Sequence, residues 1–424
     1  MPARLLIAGG GTGGHLYPGL EVAREVGRLR PDVECVFAGA GRPVEARVLE
    51  GTGFRAEALR APRFPRSPLD VPAFLVGLGR GVHDGIACVR RLRPGAVLGL
   101  GGYPSAPPAV GATLLGVPLF LFEPNAVPGR ANRLLARRAR AVFVQFEEAR
   151  ARLPHPGRAV ETGVPVRPQI AGAGAGARAA ACARLGLDPF RRTLLVLGGS
   201  QGAKGINRAL AARAPDLLGG RAGALQVVHL AGSEPEAAAV ASAYRAASVR
   251  AFVAPYLEAM ELAYAAADLA LCRAGASTIA ELAVRGLPAV LVPYPFAADG
   301  HQEANARAVE RSGGAVCAPE AELERDGVAR AIERLFDGET RGRMAAAMRA
   351  RARPRAAAAI AERLLAVLDV EVGDGAGRGS GDGVLDGART GAAGPEHDHG
   401  NGRGHGPGHG SAEALRTGRG GCGR

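Results

Sequence analysis

Short apolar runs that lead into glycine recur along this chain, and they restrict its fold more than any other feature. The first run, RLLIAGG, begins at Arg4 and precedes YPGLEVAREVGRL, in which apolar residues follow helical spacing. A short apolar run that turns through glycine into a helix is typical of a buried parallel strand and its crossover helix. The pattern returns in VECVFAG, AVLGLGGYPS, VPLFLFEPN and RAVFVQF. It predicts a doubly wound α/β domain that ends near Gly163–Pro168.

The same pattern restarts after an alanine- and glycine-rich stretch, AGAGAGARAAACARLGL. The segment RTLLVLGGSQGAKGIN again combines a strand, a glycine turn and a helix start. Further strands are predicted in ALQVVHLAG, VRAFVAPY, ADLALCRAGAS, LPAVLVPYP and GAVCAPE. We therefore expect a second α/β domain of similar size. Two such domains would face each other across a cleft, with ligand at the carboxyl ends of the strands.

From about Gly373 the sequence becomes glycine-rich and loses hydrophobic periodicity. Such a segment cannot bury enough apolar surface to fold, so we expect disorder over residues 371–424. Four histidines in this tail either bind metal weakly or reflect low-complexity drift, which is the simpler interpretation; they are His397, His399, His405 and His409.

The chain carries a formal charge of +13, nearly all of it from arginine. This charge favours acidic partners such as phosphorylated substrates or anionic lipids. The sequence has no block of basic residues with interleaved aromatics, so we expect no nucleic-acid partner. The six cysteines are scattered, without the paired spacing of a zinc site. The sequence contains no run of about 20 apolar residues, so we expect no membrane-spanning helix.

The first glycine loop, IAGGGTGGHLYPG from Ile7 to Gly19, satisfies GxGxxG between a strand and a helix. The second strand ends in CVFAGAGRP, without the carboxylate that binds a dinucleotide ribose, which disfavours a nicotinamide enzyme. The loop then suits another anion, held by N–H groups at a helix start. His15 lies at this start, where the helix dipole should lower its pKa and keep it neutral, as a general base requires. The alternative is a histidine that caps or packs the turn.

Other segments offer polar groups with both a functional and an ordinary interpretation. LGLGGYPS adds a second glycine turn, for a diphosphate or sugar, or for packing alone. Asn125 in EPNAVPG suits sugar hydroxyls or a simple turn. Ser200 in GGSQGA holds phosphate or caps a helix. Glu281 in RAGASTIAE either accepts hydrogen bonds from a ribose diol or is simply solvated. In HQEANA, Gln302 and Asn305 are three residues apart, which places both polar side chains on one helical face.

Taken in order, GGGTGGH, GGYPS, EPNAVPG, GGSQGA, RAGASTIAE and HQEANA resemble the motifs of the MurG family of bacterial peptidoglycan GlcNAc-transferases. The resemblance covers about residues 4–365. It implies a two-domain GT-B fold, with an acceptor- and membrane-side domain at 1–164, completed by a C-terminal helix at about 345–368. It implies a UDP-GlcNAc-binding domain at 165–344.

The resemblance also implies an inverting glycosyltransferase that moves GlcNAc from UDP-GlcNAc to lipid I, the undecaprenyl-diphosphate-linked MurNAc-pentapeptide, to give lipid II. It places the protein peripherally on the cytoplasmic face of the cell membrane and leaves room for other cell-wall and division proteins as partners. No DxD motif is present, so we expect no metal and no cofactor. His15 would be the base for the acceptor C4 hydroxyl. Helix N-termini would hold the UDP leaving group.

Each substrate-binding residue of the family is carried over to the matching position here. The first loop would face the acceptor diphosphate and donor sugar, Asn125 and Gln302 the sugar, and Arg167 the donor near the hinge. Ser200 would contact phosphate, Tyr256 and Leu257 uracil, and Glu281 the ribose. The complete implied set is Thr12, Gly13, Gly14, Asn125, Arg167, Ser200, Tyr256, Leu257, Ala276, Ser277, Thr278, Ile279, Ala280, Glu281 and Gln302.

Three segments depart from the family pattern or vary within it. Pro124 stands where the family usually has Gln, and GGGTGGH has one more glycine than the shortest form. The stretch APRFPRSPLDVPAFLVGLGRG mixes arginines with Phe64, Phe74 and Leu75. It suits an anionic lipid surface, or a solvated loop followed by a core helix.

Three other functions remain open at this stage. They are a related GT-B transferase with another lipid or natural-product acceptor, a UDP-sugar-binding protein without turnover, and a UDP-GlcNAc epimerase. The acceptor motifs argue against the first. His15, Asn125 and Gln302 argue against the second. An epimerase needs carboxylates facing the sugar, which we cannot identify in the sequence.

Overall fold

The computed structural model contains two parallel β-sheets flanked by helices. It describes residues 3–10, 13–61, 67–172, 174, 176–198, 203–217, 224–323, 331–333 and 337–376. All of these lie in one compact unit, Met1–Gly377. Residues 377–424, which hold most of the predicted tail, lie outside the described residues.

The N-terminal lobe is built on a seven-stranded sheet. Its strands are β1 (Arg4–Ala8), β2 (Glu34–Gly39), β3 (Arg55–Ala58), β4 (Ala96–Gly99), β5 (Leu119–Glu123), β6 (Ala141–Val144) and β7 (Ala159–Glu161). Their order is β3-β2-β1-β4-β5-β6-β7, and every pairing is parallel. The order reverses between β1 and β4, and ligands of doubly wound folds bind at such a switch point.

The helices of this lobe cover both faces of the sheet. They are α1 (Gly13–Leu29), α2 (Pro43–Leu49), α3 (Val71–Leu92), α4 (Ala106–Leu114), α5 (Arg130–Leu135) and α6 (Glu147–Arg150). The side chains Leu5, Leu6 and Ile7 of β1 are fully buried because helices pack on both sides of the strand. A strand buried on both faces reads as a continuous apolar run, which is why the sequence predicted it.

The C-terminal lobe repeats this topology on a six-stranded sheet. Its strands are β8 (Arg192–Leu197), β9 (Leu225–Leu230), β10 (Arg250–Ala254), β11 (Leu269–Cys272), β12 (Ala289–Leu291) and β13 (Ala315–Cys317), in the order β10-β9-β8-β11-β12-β13. Its helices, with the short linker helix first, are α7 (Pro168–Ala171), α8 (Ala177–Arg184), α9 (Lys204–Leu217), α10 (Glu234–Ala246), α11 (Met260–Ala266), α12 (Ala276–Arg285), α13 (His301–Arg311) and α14 (Gly338–Ala350). The two Rossmann-like sheets confirm the predicted fold class.

The last helix, α15 (Ala356–Ala376), returns to the N-terminal lobe and packs on α1. Arg30 at the end of α1 forms an ion pair with Asp369 of α15. The apolar stripe of α15 joins the core cluster that contains Leu20 and Val26 of α1. It consists of Ile360, Ala361, Leu364, Leu365 and Leu368.

Two crossing segments connect the lobes, and a glycine marks where they meet. Gly163 has a φ of +77°, in the left-handed region that favours glycine. A Cβ on Gly163 would lie 2.5 Å from the Cβ of Arg353, which belongs to the returning segment before α15. A larger residue at 163 would therefore be strained and would push the two segments apart.

Two strands that were not predicted from the sequence lie at the edges of the first sheet. β3 has the sequence RAEA and is largely exposed, and β7 has the sequence AVE. An edge strand has a neighbouring strand on one side only and tolerates polar residues. β3 and β7 therefore lack the continuous apolar run from which the inner strands were predicted.

Candidate functional site

Two glycine loops lie side by side at the carboxyl ends of β1 and β4. Leu100 donates its N–H to Ala8 O at 2.7 Å, which aligns the ends of the two strands. A Cβ on Gly102 would lie 3.7 Å from Gly10 O. The GGYPS turn therefore adjoins the first loop. Among the described glycines of these loops, Gly14 and Gly102 are exposed to solvent, where a ligand can approach.

His15 lies on the first turn of α1, half-buried between these loops. A Cβ on Gly101 would be 3.7 Å from the His15 Nε2 atom. Burial lowers the pKa of His15 from 6.5 to about 4, and His301 of the other lobe adds to the shift. The imidazole is therefore neutral near pH 7, as predicted. The main cause is desolvation and not the helix dipole that the sequence suggested.

The first loop also meets the C-terminal lobe directly. The hydroxyl of Ser277, on the first turn of α12, donates to Gly14 O at 3.0 Å. Gly13 and Gly14 begin α1 beside His15. Thr12, which the sequence assigned to the same loop, lies outside the described residues.

The loop after β5 is organised by a buried carboxylate, Glu123. Its Oε1 atom accepts from the N–H of Asn125 at 3.0 Å and from Asn125 Nδ2 at 3.2 Å. Its Oε2 atom accepts from Gly129 N at 2.8 Å and from Asn132 Nδ2 at 2.9 Å. Burial raises the pKa of Glu123, while these donors act to lower it. Asn125 is held partly exposed at the cleft.

Asn305 on α13 links this loop to the second lobe. Its Nδ2 group donates to Asn125 Oδ1 at 3.1 Å and to Ala274 O at 3.2 Å. Its Oδ1 atom accepts from Ala126 N at 2.8 Å. The side chain is fully buried. One amide therefore joins the loop after β5 to the segment that leads into α12.

Arg167 forms a second link between the lobes, at the start of the linker. Its Nη2 atom lies 3.6 Å from Glu281 Oε1, and its guanidinium lies 4.9 Å from the ring centre of Tyr17 on α1. Glu281 Oε2 accepts from the hydroxyl of Tyr264 at 2.7 Å. Burial raises the pKa of Glu281, and Tyr264 and Arg167 oppose that shift.

The first turn of α12 presents backbone donors to the cleft. The N–H groups of Ala276, Ser277 and Thr278 begin the helix after Gly275, and such groups have no partner within their own helix. Ile279 and Ala280 are buried in apolar clusters, Ile279 in that of the C-terminal lobe and Ala280 in that of the N-terminal lobe. Apolar packing of Ile279 and Ala280 therefore fixes the first turn of α12. The N-terminal end of this turn faces the other lobe, which it contacts through Ser277.

The remaining predicted residues lie around this turn. Tyr256 follows β10, is 63% exposed and lies near Tyr17 of the other lobe, and burial is the main cause that raises the pKa of its hydroxyl. Leu257 packs on the core of the C-terminal lobe. Gln302 on α13 accepts at Oε1 from Tyr294 N at 3.0 Å, which leaves its Nε2 group to donate elsewhere. Ser200 lies outside the described residues.

The structure thus brings the two halves of the predicted set together across one cleft. Sequence reasoning missed Glu123 and Tyr17 as members of the site. A charged residue that ends a buried apolar strand, as Glu123 does in LFLFE, was the available signal for the first. Nothing in the sequence singles out Tyr17. Within the described part of the chain, no group of three or more His, Cys, Asp or Glu side chains is arranged to hold a metal ion.

Comparison with known proteins gives consistent matches over both lobes. The family descriptions "Glycosyltransferase family 28 N-terminal domain" and "Glycosyltransferase family 28 C-terminal domain" match residues 5–144 and 193–364. A relative from Moorella thermoacetica is 43% identical over 330 residues, covering 76% of this chain and 87% of its own. A relative from Nocardioides sp. is 42% identical over 357 residues, covering 82% of this chain and 93% of its own. Both are UDP-N-acetylglucosamine–N-acetylmuramyl-(pentapeptide) pyrophosphoryl-undecaprenol N-acetylglucosamine transferases.

Solved structures agree on the fold. The crystal structure of MurG from Acinetobacter baumannii matches with a TM-score of 0.67 and 27% identity, covering 86% of this chain and all of that one. A UDP-N-acetylglucosamine 2-epimerase matches with a TM-score of 0.60 over 91% of this chain and all of that one, but at 14% identity. The second likeness concerns the fold alone.

Proposed function

The chain belongs to glycosyltransferase family 28, and we propose that it transfers GlcNAc from UDP-GlcNAc to the C4 hydroxyl of MurNAc in lipid I. The product is lipid II, the precursor for peptidoglycan synthesis. The curated relatives at 36–43% identity carry the name of this activity. The observation that carries the proposal is a neutral His15 at the carboxyl ends of β1 and β4, facing a lobe with a free helix N-terminus at α12.

The chemistry is a direct displacement at the anomeric carbon. The acceptor C4 oxygen forms a bond to C1 of GlcNAc while the bond from C1 to the UDP oxygen breaks, so the configuration inverts. His15 takes the proton of the C4 hydroxyl, and general-base catalysis of this kind contributes about 10²–10⁴-fold. The departing diphosphate is stabilised by backbone N–H groups of the α12 turn.

The remaining residues would bind the two substrates around this reaction. Thr12, Gly13 and Gly14 would face the acceptor diphosphate, with Asn125 and Gln302 on the sugar. Arg167 would lie at the donor site near the interdomain linker, and Ser200 would contact the donor phosphate. Tyr256 would stack on uracil beside Leu257, and Glu281 would accept from the ribose. The α12 turn lines the nucleotide with Ala276, Ser277, Thr278, Ile279 and Ala280.

Glu281 is held in place for this role by neighbouring side chains. Tyr264 and Arg167 already engage its two oxygens. A carboxylate accepts more than one hydrogen bond at each oxygen, so the ribose adds to these contacts without displacing them.

The transfer assay uses labelled UDP-GlcNAc and a short-chain lipid I analogue, with the disaccharide product isolated by chromatography. The proposed function predicts disaccharide on the lipid analogue. Release of free GlcNAc or of an epimerised UDP-sugar in place of the disaccharide would contradict it. UDP-GlcNAc binding without any turnover would indicate the binding protein considered above.

We also propose that the protein works peripherally on the cytoplasmic face of the cell membrane, against an anionic lipid surface. In the residues that the structure covers, no helix is both long enough and apolar enough to cross a bilayer. The N-terminal lobe instead exposes apolar side chains on and before α3, among them Leu69, Leu75 and Val76. Leu134 is also exposed on α5, beside the exposed Arg133.

Exposed apolar groups beside arginines suit the interface of an anionic bilayer. The test is flotation with vesicles of neutral lipid, with and without an anionic lipid. We expect binding to increase with anionic lipid and to fall when Leu75 and Val76 are both replaced by Ser. Equal binding of the variant and the wild type would contradict the assignment of this surface. Other cell-wall and division proteins are further candidate partners.

A further inference from the structure

We propose that Glu123 and Asn305 are positioning residues that hold the side-chain amide of Asn125 in one orientation, with Asn305 engaging it only when the two lobes are closed. This inference rests on the proposed function, because it concerns how that site recognises the transferred sugar. Neither residue is assigned a role in the chemistry itself.

The first half of the arrangement lies within the N-terminal lobe. Glu123 is buried. When it is ionised, its carboxylate accepts hydrogen bonds and donates none. One of its oxygens receives both the backbone N–H and the Nδ2 group of Asn125. The other receives Gly129 N and Asn132 Nδ2, at the far end of the same loop. The carboxylate therefore closes the loop on itself and sets the donor side of the Asn125 amide.

The second half comes from the opposite lobe. Asn305 donates to Asn125 Oδ1 at 3.1 Å and accepts from Ala126 N at 2.8 Å. It donates to Ala274 O as well, which ties it to its own lobe. Since Asn305 is on α13 and Asn125 is on the loop after β5, the contact exists only when the cleft is closed. Asn305 thus sets the acceptor side of the same amide.

These two contacts permit one orientation of Asn125. A rotation by 180° would turn Oδ1 toward the Glu123 carboxylate and Nδ2 toward the Nδ2 group of Asn305, so two acceptors and two donors would face each other. An amide has two N–H donors and two lone pairs on its oxygen. One donor and one lone pair are used here, so one of each remains for sugar hydroxyls.

The position of Asn305 also explains why closure matters for the sugar. Asn305 and Gln302 are three residues apart on α13, a spacing that places them on one face. Contact between Asn305 and the Asn125 loop therefore sets the spacing between the sugar-facing groups of the two lobes. If the contact between Asn305 and Asn125 served only to stabilise the closed interface, it would not need to fix the orientation of the Asn125 amide.

The experiment compares Asn305→Ala and Glu123→Gln with the wild type in the transfer assay. Glu123→Gln keeps the shape but turns an N–H₂ group toward donors. We expect kcat to fall about 10–100-fold for each variant, because small misplacement of a binding group is costly. We expect the dissociation constant for UDP, which lacks the sugar, to change less than about twofold. Arg311→Gln is the matched control, since Arg311 is on the same helix and pairs with Glu148 of the other lobe at 2.6 Å, but is exposed.

A double-mutant cycle with Asn125→Ala separates positioning from structure. If Asn305 acts through Asn125, its removal costs little more once Asn125 is already Ala. Additive losses, or UDP binding that weakens in parallel with kcat, would overturn the proposal, as would wild-type kcat in Asn305→Ala. Melting temperature is measured for every variant, and Asn305→Ser replaces Asn305→Ala if the latter does not fold. Failure of the wild type to transfer GlcNAc would contradict the proposed function instead.

Discussion

Each lobe contains a histidine with a strongly lowered pKa, and the two differ in what surrounds them. His15 in the N-terminal lobe is half-buried beside the glycine loops, with a pKa of about 4. His229, on β9 of the C-terminal lobe, is fully buried with a pKa of about 3. Burial is the main cause in both cases. The same shift in the same kind of fold therefore does not by itself identify a catalytic base.

The partners of His229 account for the difference. Its Nδ1 atom is 2.8 Å from the hydroxyl of Tyr244, and its Nε2 atom is 3.0 Å from Asn207 Oδ1. Asn207 in turn donates to Ala231 O and to Glu236 Oε2. Both ring nitrogens are thus committed inside the core. His229 connects β9 to α9 and α10, whereas His15 lies where a substrate can reach it.

The largest expected effect comes from removing the accessible histidine. His15→Ala should lower kcat about 10²–10⁴-fold, since the proposed base is lost while the proposed UDP contacts of the other lobe remain. In the wild type, the acid limb of kcat/KM assigned to His15 should lie near pH 4, because the imidazole is neutral above that value. Steady-state kinetics from pH 4 to 8 measure both. His155→Ala, an exposed histidine outside the cleft, is the control; equal rates for the two variants would exclude His15 as the base.

The second effect is a loss of stability in mild acid, to which His229 of the other lobe contributes together with His15. His229 stays neutral in the folded protein but takes up a proton below pH 6.5 when unfolded. The unfolded state therefore binds more protons, and stability falls as the pH drops below 6.5. Between pH 6.5 and 4.5 the free energy of unfolding should decrease by about 2 kcal/mol from this group. Urea unfolding at both pH values measures it, and His229→Phe should show a correspondingly smaller decrease.

Third in size is the effect of His229→Phe itself at neutral pH. The ring shape is kept, but the Tyr244 hydroxyl and Asn207 Oδ1 each lose a buried partner. We expect the free energy of unfolding to drop by about 2 kcal/mol. Urea denaturation checks this, and Tyr244→Phe serves as a comparison that removes only one of the two contacts. Wild-type stability in His229→Phe would show that the network does not support the lobe.

The smallest effect tests the connection between the two lobes. Gly163→Ala should destabilise the protein by about 1–2 kcal/mol, from the left-handed backbone conformation at that position. Crowding against the Cβ of Arg353 adds to this cost. Thermal and urea unfolding measure the change, with Gly27→Ala on α1, where a Cβ meets no neighbour, as the control. A stabilised Gly163→Ala variant would contradict the strain assigned to the crossing segments.

The sequence was sufficient for most of the fold but only for part of the site. The buried strands were predicted because two covered faces require continuous apolar runs, whereas the edge strands β3 and β7 do not. His15 was predicted from its place after a glycine loop. Its low pKa was attributed to the helix dipole, since desolvation by neighbours such as the 101–102 turn cannot be seen in local sequence. Roles of the substrate-binding residues stay predictions.

By itself the sequence determined that this protein has two similar nucleotide-binding-type lobes and carries the ordered motifs of one transferase family. These depend on hydrophobic periodicity and glycine position, which are local properties of the chain. Only the tertiary structure decided that Asn305 contacts Asn125, 180 residues away, and that Arg167 lies between Tyr17 and Glu281. Hydrogen bonding and burial depend on which distant groups the folded chain brings together, so the environments that distinguish His15 from His229 arise only when the lobes are assembled.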